Sequence, residues 1–337
     1  MYADRRMFLR GSTAAAMSAV ASTSAIAQGI WGDPPTNAST DPRTPFWPAR
    51  ERFALWPGVA PGAPKTRIAA NWTMNGPADG RELWLRGVQM PEVHVFRAPR
   101  SDGSAILSLP GGGYNFLSVQ NEGLDVALNF NPERTTVFVL TYRLPREGWA
   151  NGHVAPLADA QRAMRLIRSR AGELRIDPQR LGVLGFSAGG HLAADLAVSH
   201  DERVYAPVDA ADQLSAKPAF AGLVYPVVSL RTSDPGGRSM DGLVGSAPSP
   251  QVLETRSPLL RVNSSTPPSF LVHAIDDRTV PVANSLGWLQ ACSAAKVPCE
   301  AHLLSEGGHG FGLHLAKDMS GSNWPKMFAQ WMRKHGG

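Results

Sequence analysis

The sequence predicts an α/β fold, with a mainly parallel sheet, helices on both faces and a short lid-like insertion. From residue 105 onward, short apolar runs alternate with segments of helical periodicity, a pattern typical of parallel strands buried on both sides. One junction between a run and a helix carries Gly-x-Ser-x-Gly at residues 185–189. The composition of the 337 residues, 43% hydrophobic and 18% charged, supports a sizeable core.

Six short apolar runs bounded by turn residues are expected to form the strands of the sheet. They lie at residues 105–109, 136–142, 180–184, 221–228, 270–274 and 300–304. Helices are expected where apolar residues recur at helical spacing, at residues 157–171, 188–198, 282–295 and 324–335. An earlier strand at residues 88–98 alternates apolar and polar side chains, so we expect it to be half exposed.

The first 27 residues predict a twin-arginine export signal. Arg5 and Arg6 precede Phe-Leu, a weakly apolar run follows, and an Ala-x-Ala sequence closes it. An amphipathic or buried helix is the alternative interpretation. Residues 28–50, rich in Pro, Ser and Thr, predict a linker or strap, and residues 51–337 predict a single catalytic domain. The expected location is the periplasm or the outside of the cell.

Charge and cysteine content limit the expected partners. The formal charge of +5 is small for this length, and no basic stripe contains interleaved aromatic residues, so no nucleic-acid partner is expected. No membrane anchor is expected either. Cys292 and Cys299 flank a predicted helix-to-strand turn, where a disulfide and two free thiols are both compatible with the sequence. No cluster has metal-ligand spacing, so neither a metal nor an organic cofactor is expected. The oligomeric state stays open.

Ser187 is the predicted nucleophile. It lies between an apolar run and an alanine-rich helical stretch, which is the strand, turn and helix order that Gly-x-Ser-x-Gly requires. Glycine on either side removes Cβ atoms that would collide in so sharp a turn. An ordinary tight turn is the alternative.

A serine hydroxyl needs a nearby base and a carboxylate that orients the base, and in this kind of site both follow the serine along the chain. His309 is the expected base, because it lies in a glycine-flanked loop after the last predicted strand. Asp276 and Asp277 both follow the strand at residues 270–274, and either is able to serve as the acid. The two residues and Val-Pro that follow Asp277 favour it over Asp276.

The developing oxyanion needs backbone N–H donors that are already in place. The residue after the nucleophile, Ala188, supplies one donor. The glycine-rich loop at residues 109–114 is expected to supply others, because glycines let the main chain approach a bound carbonyl closely. A flexible loop and a phosphate cradle are the alternatives. Residues 231–268, rich in Gly, Pro and Ser, predict the lid-like insertion, with a plain surface excursion as the alternative.

Together these motifs resemble α/β-hydrolase esterases of the hormone-sensitive-lipase-like and carbohydrate acetyl-esterase branches. The resemblance extends from about Leu55 to the C-terminus. It rests on residues 55–58, 60–62, 110–114, 122–123, 142–144, 185–191 and 307–312. Lipase-like relatives have His-Gly-Gly-Gly where this chain has Pro-Gly-Gly-Gly, and the form Pro-Gly-Gly-Gly-Tyr is similar to that of acetylxylan esterases and related deacetylases.

The resemblance implies a site and an activity. The oxyanion hole would consist of Gly112, Gly113 and Ala188, and Ser187, Asp277 and His309 would form the triad. The implied enzyme is an exported serine esterase that removes small acyl groups, above all acetyl, from plant cell-wall polysaccharide such as acetylated xylan. A broad short-chain alkyl or aryl esterase is the alternative, and a non-catalytic carbohydrate-binding homologue is a further one.

Three polar or aromatic residues are candidates for contact with a sugar because they lie near these motifs. They are Tyr114, Asn115 and Trp149. Plain packing is the alternative role for each.

Overall fold

The computed structural model describes residues 43–76, 81–237 and 240–336, all of which lie in one compact unit. The predicted export signal and most of the predicted linker lie outside these residues. Within the described ranges, no helix is both long and apolar enough to cross a membrane. Both cysteines are free thiols.

Within the described residues, eleven strands form two sheets. In chain order they are β1 (Arg52–Ala54), β2 (Asn71–Asn75), β3 (Glu82–Arg86), β4 (Glu92–Phe96), β5 (Ala105–Leu109), β6 (Leu117–Ser118), β7 (Thr136–Thr141), β8 (Leu181–Phe186), β9 (Ala221–Val224), β10 (Ser269–Ala274) and β11 (Cys299–Leu304). The central sheet has the order β1-β4-β7-β5-β8-β9-β10-β11, and β2-β3-β6 form a separate sheet. Strand β4 pairs antiparallel with β1 and with β7. From β7 onward, the neighbours in the order β7-β5-β8-β9-β10-β11 all pair parallel.

The described residues contain eight α-helices, and the four predicted helices are the second, fourth, seventh and eighth of them. In chain order the eight helices are α1 (Asp125–Phe130), α2 (Ala155–Ser169), α3 (Ala171–Leu174), α4 (Ala188–Ser199), α5 (Asp241–Val244), α6 (Pro250–Thr255), α7 (Ala283–Ala294) and α8 (Trp324–His335). The predicted α/β fold is confirmed, and the six predicted strands are present with small shifts at their ends. The largest shift is in β9, which ends at Val224 instead of residue 228.

Helices cover both faces of the central sheet. A Cβ at Gly185 in β8 would contact Ala193 of α4, whereas a Cβ at Gly222 in β9 would contact Phe328 of α8. Gly222 pairs with Leu184, and neighbouring residues of a strand point to opposite faces. Helices α4 and α8 therefore lie on opposite faces, and α4 carries its N-terminus to the edge where β8 ends.

The prediction of a half-exposed strand at residues 88–98 is wrong. Strand β4 is buried along its whole length, because it lies between β1 and β7 and the preceding segment covers it. Trp47 lies over His94 with ring centroids 4.1 Å apart, and Glu92 pairs with Arg52 at 3.5 Å. The residue types of β4 do alternate, but its polar side chains, Glu92 and His94, contact Arg52 and Trp47 inside the protein.

The second half of the insertion at residues 231–268 is fixed to the body by buried charges. Arg256 is 1% exposed and contacts Asp195 of α4 at 2.8 Å and Glu202 at 2.6 Å. Its carbonyl oxygen accepts a hydrogen bond from His191 at 2.8 Å. Breaking such a pair leaves an uncompensated buried charge, so this half is an anchor. A lid role for the first half stays a prediction.

Candidate active site

Ser187 lies on a strained turn between β8 and α4. Its φ is 51° and its ψ is −114°, a backbone conformation that is uncommon outside glycine. The flanking glycines make the turn possible, because a Cβ at Gly189 would lie 2.0 Å from the carbonyl oxygen of Leu109 and one at Gly185 would lie 2.2 Å from that of Gly189. Strain of this kind is typical of functional positions.

The structure brings Ser187, His309 and Asp277 together although they are far apart in the chain. The serine Oγ lies 2.9 Å from Nε2 of His309, and Nδ1 of His309 lies 2.7 Å from Oδ2 of Asp277. Each residue lies on the loop after a different strand, at the carboxyl edge of the parallel sheet. The three side chains therefore form a continuous series of hydrogen bonds.

The chemistry of Asp277 fixes the direction of these hydrogen bonds. Burial by itself would raise the pKa of Asp277, but hydrogen bonds from His273, from His309 and from the N–H of Val280 hold it well below its usual range. An ionised carboxylate only accepts, so Nδ1 of His309 carries the proton. Its Nε2 is then free to accept the proton of Ser187.

Asp276 has a different position. Its side chain is exposed, and its Oδ1 accepts a hydrogen bond from the N–H of Gly308 at 2.8 Å. The structure thus places Asp277, and not Asp276, against the imidazole of His309. Asp276 instead ties the end of the β10 loop to the histidine loop.

A second histidine, His273, holds the carboxylate from the other side, and sequence reasoning missed it. Its Nε2 donates to the carbonyl oxygen of Val280 at 2.9 Å and lies 3.3 Å from Oδ2 of Asp277, while Nδ1 accepts from the hydroxyl of Ser285 at 2.8 Å. A buried histidine four residues before a candidate acid was the available signal. It went unused because only histidines able to act as the base were considered.

The glycine loop presents free N–H groups beside Ser187. Gly112 and Gly113 have φ values of 125° and 61°, and in the described part of the chain their N–H groups have no hydrogen-bond acceptor. Ala188 is the first residue of α4, where the N–H has no partner within the helix. Both glycines, Ser187 and His309 line one cavity of about 630 Å³.

A buried glutamate connects the glycine loop to the histidine loop. Glu122 lies in a π-helical turn, Gln120–Leu124, and its Oε2 accepts from the N–H of Gly111 at 2.5 Å. Its Oε1 accepts from the hydroxyl of Tyr225 at 2.9 Å, and that hydroxyl accepts from the N–H of Gly312 at 2.9 Å. Burial raises the pKa of Glu122 to about 8, against the effect of these hydrogen bonds.

The three candidates for sugar contact have different positions. Asn115 is exposed and lines the cavity. Tyr114 is 1% exposed and hydrogen-bonds Nδ1 of His191 at 2.9 Å, and Trp149 is 5% exposed beneath the guanidinium of Arg143 at 5.1 Å. Neither Tyr114 nor Trp149 is among the residues that line the cavity, so both fill the interior instead.

Two aromatic residues that the sequence analysis did not select line the cavity in their place. Trp84 is on β3 and Phe116 follows the glycine loop, and both are half-buried. The only sequence signal for Trp84 was the alternation of β3, which places Glu82, Trp84 and Arg86 on one face.

The sheet order, the strand-to-helix turn at Ser187 and the loops at the carboxyl edge of the strands define the fold as that of an α/β-hydrolase esterase. Residues 97–290 match the model of the BD-FAE family, and the chain belongs to that family.

Individual relatives agree with this membership. The chain is 29% identical to an acetylxylan esterase of Xylanibacter ruminicola over 74% of this chain and 47% of the relative. It is 33% identical to endo-1,4-beta-xylanase B of Butyrivibrio fibrisolvens over 65% of this chain and 34% of the relative. The chain thus spans less than half the length of these two relatives. It also resembles the crystal structure of an acetyl ester-xyloside bifunctional hydrolase from Caldicellulosiruptor lactoaceticus, with 37% identity, a TM-score of 0.67 and coverage of 73% of this chain and 89% of that one.

Proposed function

We propose that the protein is a serine carboxylester hydrolase that removes small acyl groups, above all acetyl, from acetylated xylan or its oligomers. The observation that carries the proposal is the series of hydrogen bonds from Ser187 through His309 to Asp277. Ser187 and His309 line a cavity beside free backbone N–H groups. A base within reach of the serine and a carboxylate behind the base are the requirements of acyl transfer through a serine.

The chemical steps follow from this geometry. The Oγ of Ser187 attacks the ester carbonyl carbon while Nε2 of His309 accepts the serine proton. The N–H groups of Gly112, Gly113 and Ala188 stabilise the oxyanion of the tetrahedral intermediate. His309 then gives the proton to the departing alkoxide, which leaves an acyl-enzyme. His309 deprotonates a water molecule, which attacks the carbonyl carbon of the acyl-enzyme. His309 then returns the proton to the Oγ of Ser187 as the C–O bond to the serine breaks, and the carboxylic acid is released.

The choice of an acetylated sugar polymer is supported by the relatives. One is named as an acetylxylan esterase, another as a xylanase, and a similar structure is that of an acetyl ester-xyloside hydrolase. The cavity of about 630 Å³ is roughly the size of a small-ligand site and combines polar and aromatic walls.

The test is acetate release from acetylated xylan by the purified chain, beside p-nitrophenyl acetate and p-nitrophenyl butyrate. Ser187→Ala is expected to lower kcat by about 10⁴- to 10⁶-fold on every ester, because the nucleophile is gone. Ser169→Ala, at an exposed serine of α2, is the matched control and is expected to keep full activity. Turnover of the aryl esters alone would replace the proposed substrate with a broad range of short-chain esters. Full activity of Ser187→Ala would refute the mechanism.

We also propose export through a twin-arginine signal, supported by Arg5 and Arg6 and the weakly apolar run after them. The test is the N-terminal sequence of the protein recovered from the periplasm or the medium. A sequence that starts after Ala27 is the expected result, and one that still contains both arginines would refute cleavage at this site.

A further inference from the structure

One wall of the cavity comes from β3 and from the residue that joins the glycine loop to β6. Trp84 of β3 and Phe116 stack with ring centroids 3.8 Å apart and an angle of 15° between their planes. Both rings are half-buried and both line the cavity. The guanidinium of Arg86 lies 5.7 Å from the ring centre of Trp84 and 5.2 Å from that of Phe116. The cavity therefore has an aromatic surface on this side, with a guanidinium beside it.

A carboxylate lies next to the aromatic pair. Oε2 of Glu82 accepts hydrogen bonds from Nε1 of Trp84 at 3.0 Å and from Oγ of Ser118 at 3.1 Å. Its other oxygen, Oε1, has no hydrogen-bond partner among the described residues. Glu82 lines the cavity, so its carboxylate keeps accepting capacity at the cavity wall.

The wall is attached directly to the glycine loop. The N–H of Phe116 donates to the carbonyl oxygen of Gly112 at 3.3 Å, and a Cβ at Gly112 would lie 2.8 Å from the ring of Phe116. A group that rests on the aromatic pair is therefore held in a fixed relation to the N–H groups beside Ser187. The wall, the glycine loop and Ser187 border the same cavity.

We propose that Glu82, Trp84 and Phe116 form a subsite for a neutral sugar ring in the alcohol part of the ester. The subsite rests on the proposed function, because it assumes that an ester is cleaved at Ser187. A sugar ring has a face of C–H groups for the aromatic surface and hydroxyl donors for the free oxygen of Glu82.

Other occupants fit the wall less well. An alkyl chain or a simple aryl group would desolvate Oε1 of Glu82 without offering it a hydrogen bond, which is unfavourable. An anionic group would meet the carboxylate of Glu82, and no lysine or arginine is among the described residues that line the cavity. The combination of an apolar face with neutral donors is the property of an uncharged sugar.

The first experiment measures binding without catalysis. Xylotetraose without acetyl groups is titrated calorimetrically into Ser187→Ala, into the same protein with Trp84→Ala, and into the same protein with Glu82→Gln. We expect binding to the first and a loss of affinity of about tenfold in each double variant. Trp72→Ala is the matched control, because Trp72 lies on the neighbouring strand β2 and does not line the cavity. Equal affinity in all four proteins, or no binding to Ser187→Ala, would overturn the subsite.

The second experiment separates the subsite from the esterase activity. The ratio of kcat/KM for acetylated xylo-oligosaccharide to kcat/KM for p-nitrophenyl acetate is expected to fall by about tenfold in Trp84→Ala and to stay at the wild-type value in Trp72→Ala. A ratio that is unchanged in Trp84→Ala while both esters are hydrolysed would refute the subsite and leave the proposed function standing. An absence of turnover on both esters by the wild type would refute the proposed function, and the calorimetric result would still decide the subsite.

Discussion

Replacement of Glu122 by glutamine tests whether this buried carboxyl group is protonated in the folded protein. Glu122 is 4% exposed, and burial raises its pKa to about 8. In the unfolded chain a glutamate titrates near about 4.3. Between these two values the folded state binds one proton more than the unfolded state. The free energy of unfolding of the wild type therefore falls as the pH rises, by about 1.4 kcal/mol per pH unit from this group.

The measurement is urea unfolding of wild type and Glu122→Gln at pH 5, 6 and 7, followed by tryptophan fluorescence. From pH 5 to pH 7 the wild type is expected to lose about 3 kcal/mol more than the variant, because glutamine does not titrate. Glu133→Gln is the control for a general charge effect, since Glu133 is an exposed partner of Arg333 at 3.5 Å. Parallel pH dependence of wild type and Glu122→Gln would refute the reasoning.

The same variant also perturbs the site. In Glu122→Gln one carboxyl oxygen becomes an NH₂ donor, so either the N–H of Gly111 or the hydroxyl of Tyr225 loses its acceptor. An unsatisfied buried donor costs about 1–3 kcal/mol. Because these groups hold the glycine loop and the histidine loop, we expect kcat/KM for p-nitrophenyl acetate to fall about 10- to 100-fold at pH 7.

Three further predictions concern other parts of the site and its support. Asp277→Asn is expected to lower kcat by about 10⁴-fold, since an amide favours the wrong imidazole tautomer. Asp276→Asn keeps its oxygen acceptor, so its kcat is expected to stay within about threefold of wild type. Steady-state kinetics that reverse this order would show that the wrong carboxylate was chosen. Gly112→Ala is expected to abolish turnover of p-nitrophenyl acetate and to lower the melting temperature, because a Cβ would lie 2.1 Å from a backbone oxygen at a φ of 125° and the loop must move; near wild-type turnover would contradict the role of the glycine loop. Arg256→Met is expected to destabilise the protein by about 3–5 kcal/mol in urea, because it leaves Asp195 buried without its partner; a loss under 1 kcal/mol would contradict the anchoring role.

Local patterns were enough to predict part of the site. The position of Ser187 follows from a short motif whose neighbours, a strand and a helix, are also visible in the sequence. His309 and the glycine loop were found in the same way, because each combines a residue type with a glycine-rich context after a predicted strand. The structure brings these segments to one edge of the sheet. That meeting follows from the parallel arrangement, in which the carboxyl ends of all the strands share one edge.

Contacts between distant segments were not accessible to such reasoning. The hydroxyl of Tyr225 meets Glu122 across 103 positions of sequence, and no local pattern pairs these two residues. The wall of Trp84 and Phe116 depends on a three-stranded sheet whose pairing is set by tertiary contacts. Tyr114 lies beside the glycine loop in sequence, but its positive φ of 59° accompanies a side chain that is buried against His191.

The sequence by itself predicted the fold class, the strand order along the chain, the serine, the histidine, the glycine loop and the preference for Asp277, because these predictions depend on periodicity and on residues a few positions apart. Only the tertiary structure placed Asp277 against His309, placed His273 behind Asp277 and brought Trp84 and Phe116 to the cavity. The physical reason is that side-chain direction at the end of a loop, and burial by a segment far away in the chain, are set by packing and long-range hydrogen bonds.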